Sequence, residues 1–474
     1  MTGMLTESQQ GLHGKALLPP HPSTVYHRAN ARGDSMSVKS KETTPSAPSV
    51  RQRMGLWQGK RPALYLHALW LLMGPGVIVM IGDNDAGGVI SYAATGATFG
   101  AGLFILVAVA LIPVTYTVQE MAMRLSAVSQ QPFPALVFRY FGRTSGALAL
   151  TALFAENLLT LMTEFIGMSI GLTVLGLPFW LADVVCAVFV IGFALWGKYW
   201  TKERLALGVG ALNTVFIVLA VWTRGRAVPT PISPLLVANE HGYTLMLFFI
   251  IATVGNAVAP WMIFFQGSAV IDKGMTRNDL HFGRLDTALG SMIQAAIAVA
   301  IMVCGATLYG MPGHGATLTG PGAMLQGFLL HDGVLVRDLF ALGMVNAGFL
   351  AAIAISLSTS WTFASVLGFA HSLDDRPRQA PKFYALYTGG LALAALLVLL
   401  PGLPLTMLAV FAQVIAALLM APLLIFLVKL TSRRDLMGEH GNTVSARIRV
   451  WVIIGLMTGL CVCLLLASLQ SFHP

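Results

Sequence analysis

The stretch IGDNDAGGVISYAATG, Ile81 to Gly96, places two aspartates, an asparagine and a glycine pair inside an otherwise apolar run. If this run crosses a membrane, each ionised carboxylate near its centre costs roughly 2.5–3.5 kcal/mol on insertion scales and needs a compensating role. Gly87 and Gly88 weaken helix continuity, because glycine is a poor helix former. We therefore predict that the helix is broken here, so that Asp85 and freed backbone carbonyls offer hard oxygen ligands to a cation.

The composition of the whole chain is that of a polytopic membrane protein. Of its 474 residues, 56% are hydrophobic and only 10% are charged, and the mean hydropathy is +0.74. A helix needs about 20 apolar residues to cross the hydrocarbon core, and such runs recur along the chain. The sequence predicts an all-α membrane protein with eleven transmembrane spans. Their predicted extents are 65–98, 101–123, 146–172, 178–197, 204–223, 243–271, 285–310, 336–368, 383–401, 404–428 and 449–470.

A second interruption lies in span 6, within the stretch ATVGNAVAPWMIFFQGS. Pro260 removes one intrahelical hydrogen bond and frees backbone carbonyls near Asn256 and Ala257. The two interruptions are five spans apart, which is typical of two repeats of inverted topology with a site between them. We predict repeat one over 65–223, repeat two over 243–428 and an extra helix over 449–470. The alternative that glycine and proline only kink two closely packed helices stays open.

Lysines and arginines are distributed unevenly over the predicted loops. The loops after even-numbered spans carry 17 of the 29 basic residues, whereas the loops on the opposite side carry three. Because basic loops stay cytoplasmic, this predicts a cytoplasmic N-terminus and an external C-terminus, in a pattern that suits a bacterial inner membrane. The net charge of +9 is explained by topology, so no nucleic-acid partner is indicated. Residues 1–62 are predicted to be a disordered cytoplasmic tail before a transporter domain over 63–474.

The ionisable residues predicted inside the spans are acidic, apart from Arg124, which is expected to pair with Glu120 one turn before it. No other lysine or arginine falls near a span centre, so the expected partner of the acidic groups is a cation or a proton. Glu156, Asp183 and Asp286 are predicted to lie nearer the span ends, in structural roles.

Histidine and cysteine give no sign of a catalytic or zinc centre. Only His67 of the eleven histidines approaches a predicted span, and the sequence contains no HExxH motif. The four cysteines fall in apolar runs, where cysteine behaves as a small buried hydrophobic residue. With no nucleophile–base set and no phosphate loop, the sequence predicts neither an enzyme nor a bound cofactor.

The residues around the first interruption resemble those of the Nramp (natural resistance-associated macrophage protein) family of divalent-metal transporters. The segment GPGVIVMIGDNDAGG is similar to that family's Gly-Pro-Gly entry followed by Asp-Pro-Gly-Asn. Further similar segments, in the family's order, are VQEMAMRL in span 2, TEFIG in span 3, VGNAVAPWMIFFQGS in span 6 and FAQVIAALLMAPLLIFLVKLTSRRDLMG in span 10. Over roughly residues 64–440 the resemblance implies a leucine-transporter-like inverted-repeat fold that takes up divalent metal by alternating access, often with protons.

The resemblance also implies site residues. It places the family's first metal-binding aspartate at Asp85 and its span-10 glutamine at Gln413. The family's asparagine and metal-binding methionine fall on Gly88 and Ala259, so two side-chain ligands are absent. Without the thioether the site is expected to accept harder ions, and the two small residues are expected to widen it, so that Mg²⁺ would keep several waters. The family's span-6 histidine falls on Trp261.

The predicted metal site has Asp85 as its direct ligand. The predicted helpers are Gln413, the carbonyls near Ala257, Asp83 and Asn256. Two of these assignments have alternatives, because Asp83 would also serve as a helix cap or face the outer vestibule, and Asn256 would also satisfy a broken backbone.

Two further residues are assigned to gating or proton movement. Glu164 is predicted to be a proton-carrying or gating carboxylate, with an interhelical hydrogen bond as the alternative. Trp261 follows Pro260 directly and is predicted to be a packing or gate residue.

The favoured function is a secondary transporter that moves Mn²⁺, Fe²⁺ or Mg²⁺ into the cytoplasm with relaxed selectivity, and proton coupling through Glu164 or Asp85 stays open. The metal is then the transported substrate, and the lipid bilayer is the other partner. The alternative is a sodium-coupled symporter of a small organic solute on the same fold, although the acidic Asp85 argues against an anionic substrate. A metal-sensing receptor is disfavoured, because the tail over 1–62 contains no signalling domain.

Overall fold

The structure is a bundle of helices, two of which are interrupted at their centres. The computed structural model describes residues 74–195, 199–223, 232–233, 242–309, 321–369 and 377–471, and every regular element in these ranges is helical. The α-helices run over Pro75–Gly82, Ala86–Phe99, Gly102–Ser129, Phe133–Thr173, Phe179–Leu195, Tyr199–Ala211, Val215–Thr223, Tyr243–Ala257, Pro260–Asp272, Leu280–Ala306, Pro321–His331, Val334–Leu367, Pro381–Val398, Leu405–Thr431, Arg434–Met437 and Val444–Ser471.

These helices correspond to the eleven predicted spans. Nine helices in the described ranges are long and apolar enough to cross a membrane, and Phe179–Phe193 is a shorter apolar helix at the place of span 4. The remaining span is the interrupted span 1, whose start lies outside the described residues together with the predicted tail over 1–62. The predicted all-helical membrane fold is confirmed. The helix Phe133–Thr173 is interrupted by a kink at the non-helical Gly142, so the helix of span 3 proper begins just after the kink, close to the predicted residue 146.

Span 1 is broken at Asp83–Asp85, between span 1a (Pro75–Gly82) and span 1b (Ala86–Phe99). The prediction that Gly87 and Gly88 form the break is wrong, because both lie in the first turn of span 1b. The reason is a cap. The Asp85 side chain accepts a hydrogen bond from the Gly88 backbone N–H, which starts a new helix directly after the aspartate.

Span 6 is broken at Val258–Ala259, between span 6a (Tyr243–Ala257) and span 6b (Pro260–Asp272). Pro260 is the first residue of span 6b, where its missing N–H costs no helical hydrogen bond and its fixed φ favours a helix start. The predicted position of this break at Pro260 is therefore correct.

The two broken spans are enclosed by continuous helices. Span 7 packs against spans 1a, 1b and 2, and span 3 packs along span 8. Span 6a lies against span 10 so closely that a Cβ on Gly255 would overlap the Gln413 carbonyl. Both breaks are therefore buried among spans 2, 3, 7, 8 and 10.

Candidate metal site

Asp85 lies at the N-terminus of span 1b with only 3% of its surface exposed. Its Oδ1 accepts the Gly88 N–H, and the Gln413 amide faces the carboxylate although Gln413 Nε2 completes no hydrogen bond. The cap leaves part of the carboxylate free for a ligand, because a carboxylate has about four lone-pair positions. The structure thus brings Asp85 and Gln413 together, as the sequence predicts.

Asp83 and the carbonyl of Ala257 are held by a residue that the sequence analysis missed. Gln294 of span 7 donates from Nε2 to Asp83 Oδ2 and, at 3.0 Å, to the Ala257 carbonyl. The Ala257 carbonyl also accepts from Thr115 Oγ1 of span 2 at 3.2 Å. Because both of its lone pairs are used, this carbonyl is a poor candidate for a direct ligand in this conformation. Asn84, which lies within the break of span 1, donates from its side-chain Nδ2 to the Gln294 backbone carbonyl at 3.1 Å.

Asn256 extends its side chain from the last turn of span 6a toward Gly88. A Cβ built on Gly88 would lie 2.8 Å from Asn256 Oδ1 and 2.9 Å from Asp85 Oδ1. Asn256 is 1% exposed and faces the Tyr92 hydroxyl, although neither polar atom of its amide completes a hydrogen bond of full geometry among the described residues. The space beside Gly88 is filled by this amide, so the expectation that Gly88 widens the site is wrong.

Glu164 and Glu156 approach the same region from span 3. Glu164 Oε2 accepts the Ala86 N–H at 2.8 Å, so it binds the first backbone donor after the break of span 1. Glu156 lies well inside the span rather than near its end, and its carboxylate interacts electrostatically with Asp85. One Glu156 oxygen accepts from Thr160 at 3.1 Å and the other completes no hydrogen bond. The expectation of a peripheral Glu156 is therefore wrong.

Trp261 closes the other side of the break in span 6. Its ring is fully buried, lies 3.7 Å from where a Cβ on Gly82 would be, and meets Phe265 edge to face with 6.2 Å between ring centroids. Its carbonyl accepts from Ser358 Oγ of span 8 at 3.0 Å. Trp261 is therefore a buried packing residue in the first turn of span 6b.

Met262 brings a sulfur to the same break. Its Sδ lies 3.3 Å from the Ala259 backbone nitrogen and accepts that N–H. A thioether is thus present one turn after Ala259, although it acts here as a backbone acceptor. The family motif does not point to Met262, because it places the metal-binding methionine at the position of Ala259.

The charged neighbours of the site are themselves acidic. Asp83 interacts electrostatically with Asp85 and Glu156, and Glu164 interacts with Asp85. Buried carboxylates repel one another unless a cation or protons compensate their charge. The part of the chain that the structure describes contains no group of three or more His, Cys, Asp or Glu side chains arranged to hold a metal ion. A cation here would therefore be held by Asp85 together with amide and backbone oxygens.

The family model described as natural resistance-associated macrophage protein-like matches residues 76–467 of the chain. The chain belongs to the Nramp family. Members of the Nramp family are metal transporters and not enzymes, which confirms the prediction of a non-enzymatic membrane protein.

Two curated relatives are both described as the divalent metal cation transporter MntH. A divalent metal cation transporter MntH of Klebsiella pneumoniae is 24% identical over 419 residues, which are 84% of this chain and 94% of the relative. One of Levilactobacillus brevis is 23% identical over 478 residues, covering 94% and 97% of the two chains. Among solved structures, the Eremococcus coleocola manganese transporter in complex with an aromatic bis-isothiourea compound aligns with a TM-score of 0.68 and 17% identity over 88% of this chain and 90% of that one. This last likeness shows the fold.

Several polar residues beside the two breaks carry no charge and therefore do not stand out among the ionisable residues of the sequence. Gln294, Thr115 and Thr163 are uncharged and buried beside the two breaks. Thr163 Oγ1 lies 3.3 Å from Glu164 Oε1 and borders Gly87, where a Cβ would be 3.1 Å from Gln413 Nε2. Glutamine is rare in an apolar span, so counting amides as well as charges would have found Gln294.

Proposed function

We propose that this chain is a secondary transporter that moves divalent metal ions across the membrane by alternating access. The observation that carries the proposal is the buried Asp85 carboxylate at the break of span 1, faced by the amides of Gln413 and Asn256. Membership of the Nramp family and the description of its relatives as divalent metal cation transporters support this assignment.

The donor set favours ions that accept oxygen ligands. Asp85 supplies a carboxylate, Gln413 and Asn256 supply amides, and Asp83 acts through Gln294 or through water. Ala259 provides no thioether, and a thioether is the ligand type that favours softer transition metals. We therefore propose relaxed selectivity, with Mn²⁺, Fe²⁺ and Mg²⁺ as substrates, and the ion keeping some of its water.

Transport into the cytoplasm through a bacterial inner membrane, with an internal N-terminus and an external C-terminus, is part of the same proposal. The asymmetry of basic residues between the predicted loops supports the orientation of the termini, and the inward direction is inferred from the family resemblance. Proton coupling would involve Glu164 or Asp85, which accept backbone N–H groups at the start of span 1b. A sodium-coupled symporter of an organic solute is less well supported. The Asp85 carboxylate occupies the N-terminus of span 1b, where such a symporter would bind a substrate carboxylate.

The test is metal flux into proteoliposomes with Mn²⁺, Mg²⁺ and Ca²⁺ in parallel, while an internal dye follows pH. We expect saturable Mn²⁺ uptake that excess Mg²⁺ inhibits and that Asp85→Ala abolishes. Asp338→Ala is the matched control, because it removes an exposed carboxylate that pairs with Arg337 away from the site. Absence of any divalent flux through the wild-type protein would reject the metal transporter and favour the solute symporter. Internal acidification during uptake would identify proton coupling.

A further inference from the structure

A cluster of charged residues lies where the end of span 2 meets the starts of span 7 and span 11 (Val444–Ser471), on the side that the sequence predicts to be cytoplasmic. Its centre is Glu120 of span 2, whose side chain is 12% exposed. Arg124 of the same span donates to Glu120 at 2.9 Å, and Arg284 of span 7 donates to it at 3.0 Å. One carboxylate thus holds two guanidinium groups.

The two arginines differ in how much of their hydrogen-bonding capacity is used. Arg124 is nearly buried, and its Nη atoms donate to the His440 carbonyl and to Asn442 Oδ1, both in the connection between spans 10 and 11. The Arg284 side chain is 47% exposed, and only its Nε makes a hydrogen bond within the described part of the chain. Because a guanidinium has five N–H donors in a planar fork, the outer edge of Arg284 is available to an oxyanion.

Two further donors face the same place. Tyr116, one turn before Glu120, interacts electrostatically with Glu120, Arg124, Arg284 and Arg449. Arg449 of span 11 is exposed, and neither its guanidinium nor the Tyr116 hydroxyl makes a hydrogen bond to another described residue. Three arginines around one carboxylate leave two positive charges without a counter-charge. In contrast to the acidic centre at the helix breaks, this cluster is suited to bind an anion.

Exposed apolar side chains lead away from the cluster along spans 2 and 7. On span 2, Leu106, Val109 and Pro113 are exposed and lie three or four residues apart, on the helix face that continues to Tyr116. On span 7, the exposed Leu285 directly follows the arginine of the cluster. A soluble anion makes no use of such a surface, whereas the acyl chains of a phospholipid pack against it.

We propose that the predicted cytoplasmic ends of spans 2, 7 and 11 form a binding site for an anionic phospholipid. Arg284, Arg449 and the Tyr116 hydroxyl donate to the phosphate oxygens, and the acyl chains lie along the outward faces of spans 2 and 7. Arginine suits this role, because its planar fork matches the geometry of a phosphate and the cytoplasmic leaflet carries anionic lipids. The bound lipid joins span 11 to spans 2 and 7, so it stabilises the protein whether or not a metal ion is transported.

The test is thermal unfolding of the full chain in dodecyl maltoside without added metal. Phosphatidylglycerol, phosphatidylcholine and inorganic phosphate are titrated in parallel at constant ionic strength. A ligand that binds only the folded state raises the unfolding midpoint. We expect phosphatidylglycerol to raise it saturably and the other two to have little effect at the same concentration. Arg284→Gln and Arg449→Gln should each raise the half-saturating phosphatidylglycerol concentration about fivefold.

Arg447→Gln is the matched control. Arg447 is exposed on the same helix as Arg449 but two residues before it, so the substitution removes the same charge from a different helix face. Its half-saturating concentration should stay within about twofold of the wild-type value. Because Arg449 bonds no other described residue, weaker binding in Arg449→Gln reports the lipid rather than the fold.

Three results would overturn the proposal. No midpoint shift with phosphatidylglycerol would remove the site. An equal loss in Arg447→Gln would show that the lipid responds to general surface charge. A saturable shift with inorganic phosphate that Arg449→Gln abolishes would make the ligand a soluble anion instead of a lipid.

Discussion

At the scale of single residues, Asp85 has two physical roles that a substitution can separate. Its carboxylate caps span 1b through the Gly88 N–H, and it is the proposed ligand of the ion. Asparagine caps helices about as well as aspartate but carries no charge. We expect Asp85→Asn to abolish metal uptake while the free energy of unfolding stays near the wild-type value, and Asp85→Ala to lose uptake and about 1 kcal/mol of stability.

The measurement for Asp85 combines flux assays with chemical unfolding of the purified protein in detergent. Uptake by Asp85→Asn at the wild-type rate would show that the charge is not needed and would remove this residue from the metal site. Equal stability of Asp85→Asn and Asp85→Ala would instead show that the cap does not start span 1b.

A second residue-scale prediction concerns Gln294, which joins both breaks to span 7. Replacing it with leucine leaves the Asp83 carboxylate and one lone pair of the Ala257 carbonyl without their donor. We expect Gln294→Leu to destabilise the protein by about 1–3 kcal/mol and to raise the half-saturating metal concentration. Unfolding in detergent and concentration-dependent uptake measure the two effects. Gln326→Leu is the control, because Gln326 is exposed on the helix Pro321–His331, away from both breaks.

Site residues could be predicted from the sequence where charge or family position marked them. Asp85 and Gln413 meet in the structure. Both could be predicted, because the cost of burying a carboxylate marks Asp85 and the family motif locates Gln413. Gln294 could not be paired with Asp83 in this way. That hydrogen bond depends on how span 7 is rotated about its axis and on which of its polar residues meets the break of span 1, and the spacing of these residues along span 7 does not specify either.

At the scale of helical elements, the start of span 1a is fixed by a carboxylate from span 7. Asp286 accepts backbone N–H groups of Gly74 at 2.8 Å, Gly76 at 2.7 Å and Val77 at 3.2 Å. These are donors that a helix N-terminus leaves unpaired. Gly76 permits the approach, because a Cβ there would lie 2.7 Å from Asp286 Oδ2 and 2.9 Å from the Thr287 backbone nitrogen.

This cap predicts a graded loss of stability. Asp286→Asn keeps one acceptor oxygen without the charge, whereas Asp286→Ala removes the acceptor completely and should cost about 3 kcal/mol. Gly76→Ala should destabilise span 1a in the same assay, because the new methyl displaces the carboxylate. Chemical unfolding in detergent ranks the variants. Gly192→Ala, with nothing within 4 Å of the added Cβ, serves as the control. A ranking in which Asp286→Ala equals the control would contradict the cap.

The helix breaks were predictable as elements, but their exact positions were less so. Pro260 marks the break of span 6, because proline has no N–H to donate to the preceding turn, although Pro113 and Pro422 lie inside continuous helices. In span 1 the glycines suggested a break at 87–88, yet the structure begins span 1b at Ala86. Which of two neighbouring aspartates becomes the cap depends on tertiary contacts, and here Gln294 binds Asp83 while Asp85 remains available to the backbone.

At the scale of the whole molecule, each broken span forms a hydrogen bond to a surrounding helix just after its break. Glu164 of span 3 binds the Ala86 N–H just after the first break, and Ser358 of span 8 binds the Trp261 carbonyl just after the second. Spans 3 and 8 occupy the same place in the two predicted repeats, over 65–223 and 243–428. This correspondence supports the proposal that the chain is built from two repeats of inverted topology.

If spans 1 and 6 rock against spans 3 and 8 during transport, both ties must break in each cycle. We expect Ser358→Ala to raise the maximal uptake rate about threefold, the factor for a hydrogen bond worth about 0.7 kcal/mol, with the half-saturating metal concentration unchanged. The rate rises because the substitution destabilises the conformation with both breaks buried and leaves the metal ligands intact. Ser360→Ala is the matched control on the same helix, because Ser360 Oγ bonds only the Ser356 carbonyl of its own helix, at 2.7 Å. A change in half-saturation alone, or equal rates for the two serine variants, would place the moving boundary elsewhere in the molecule.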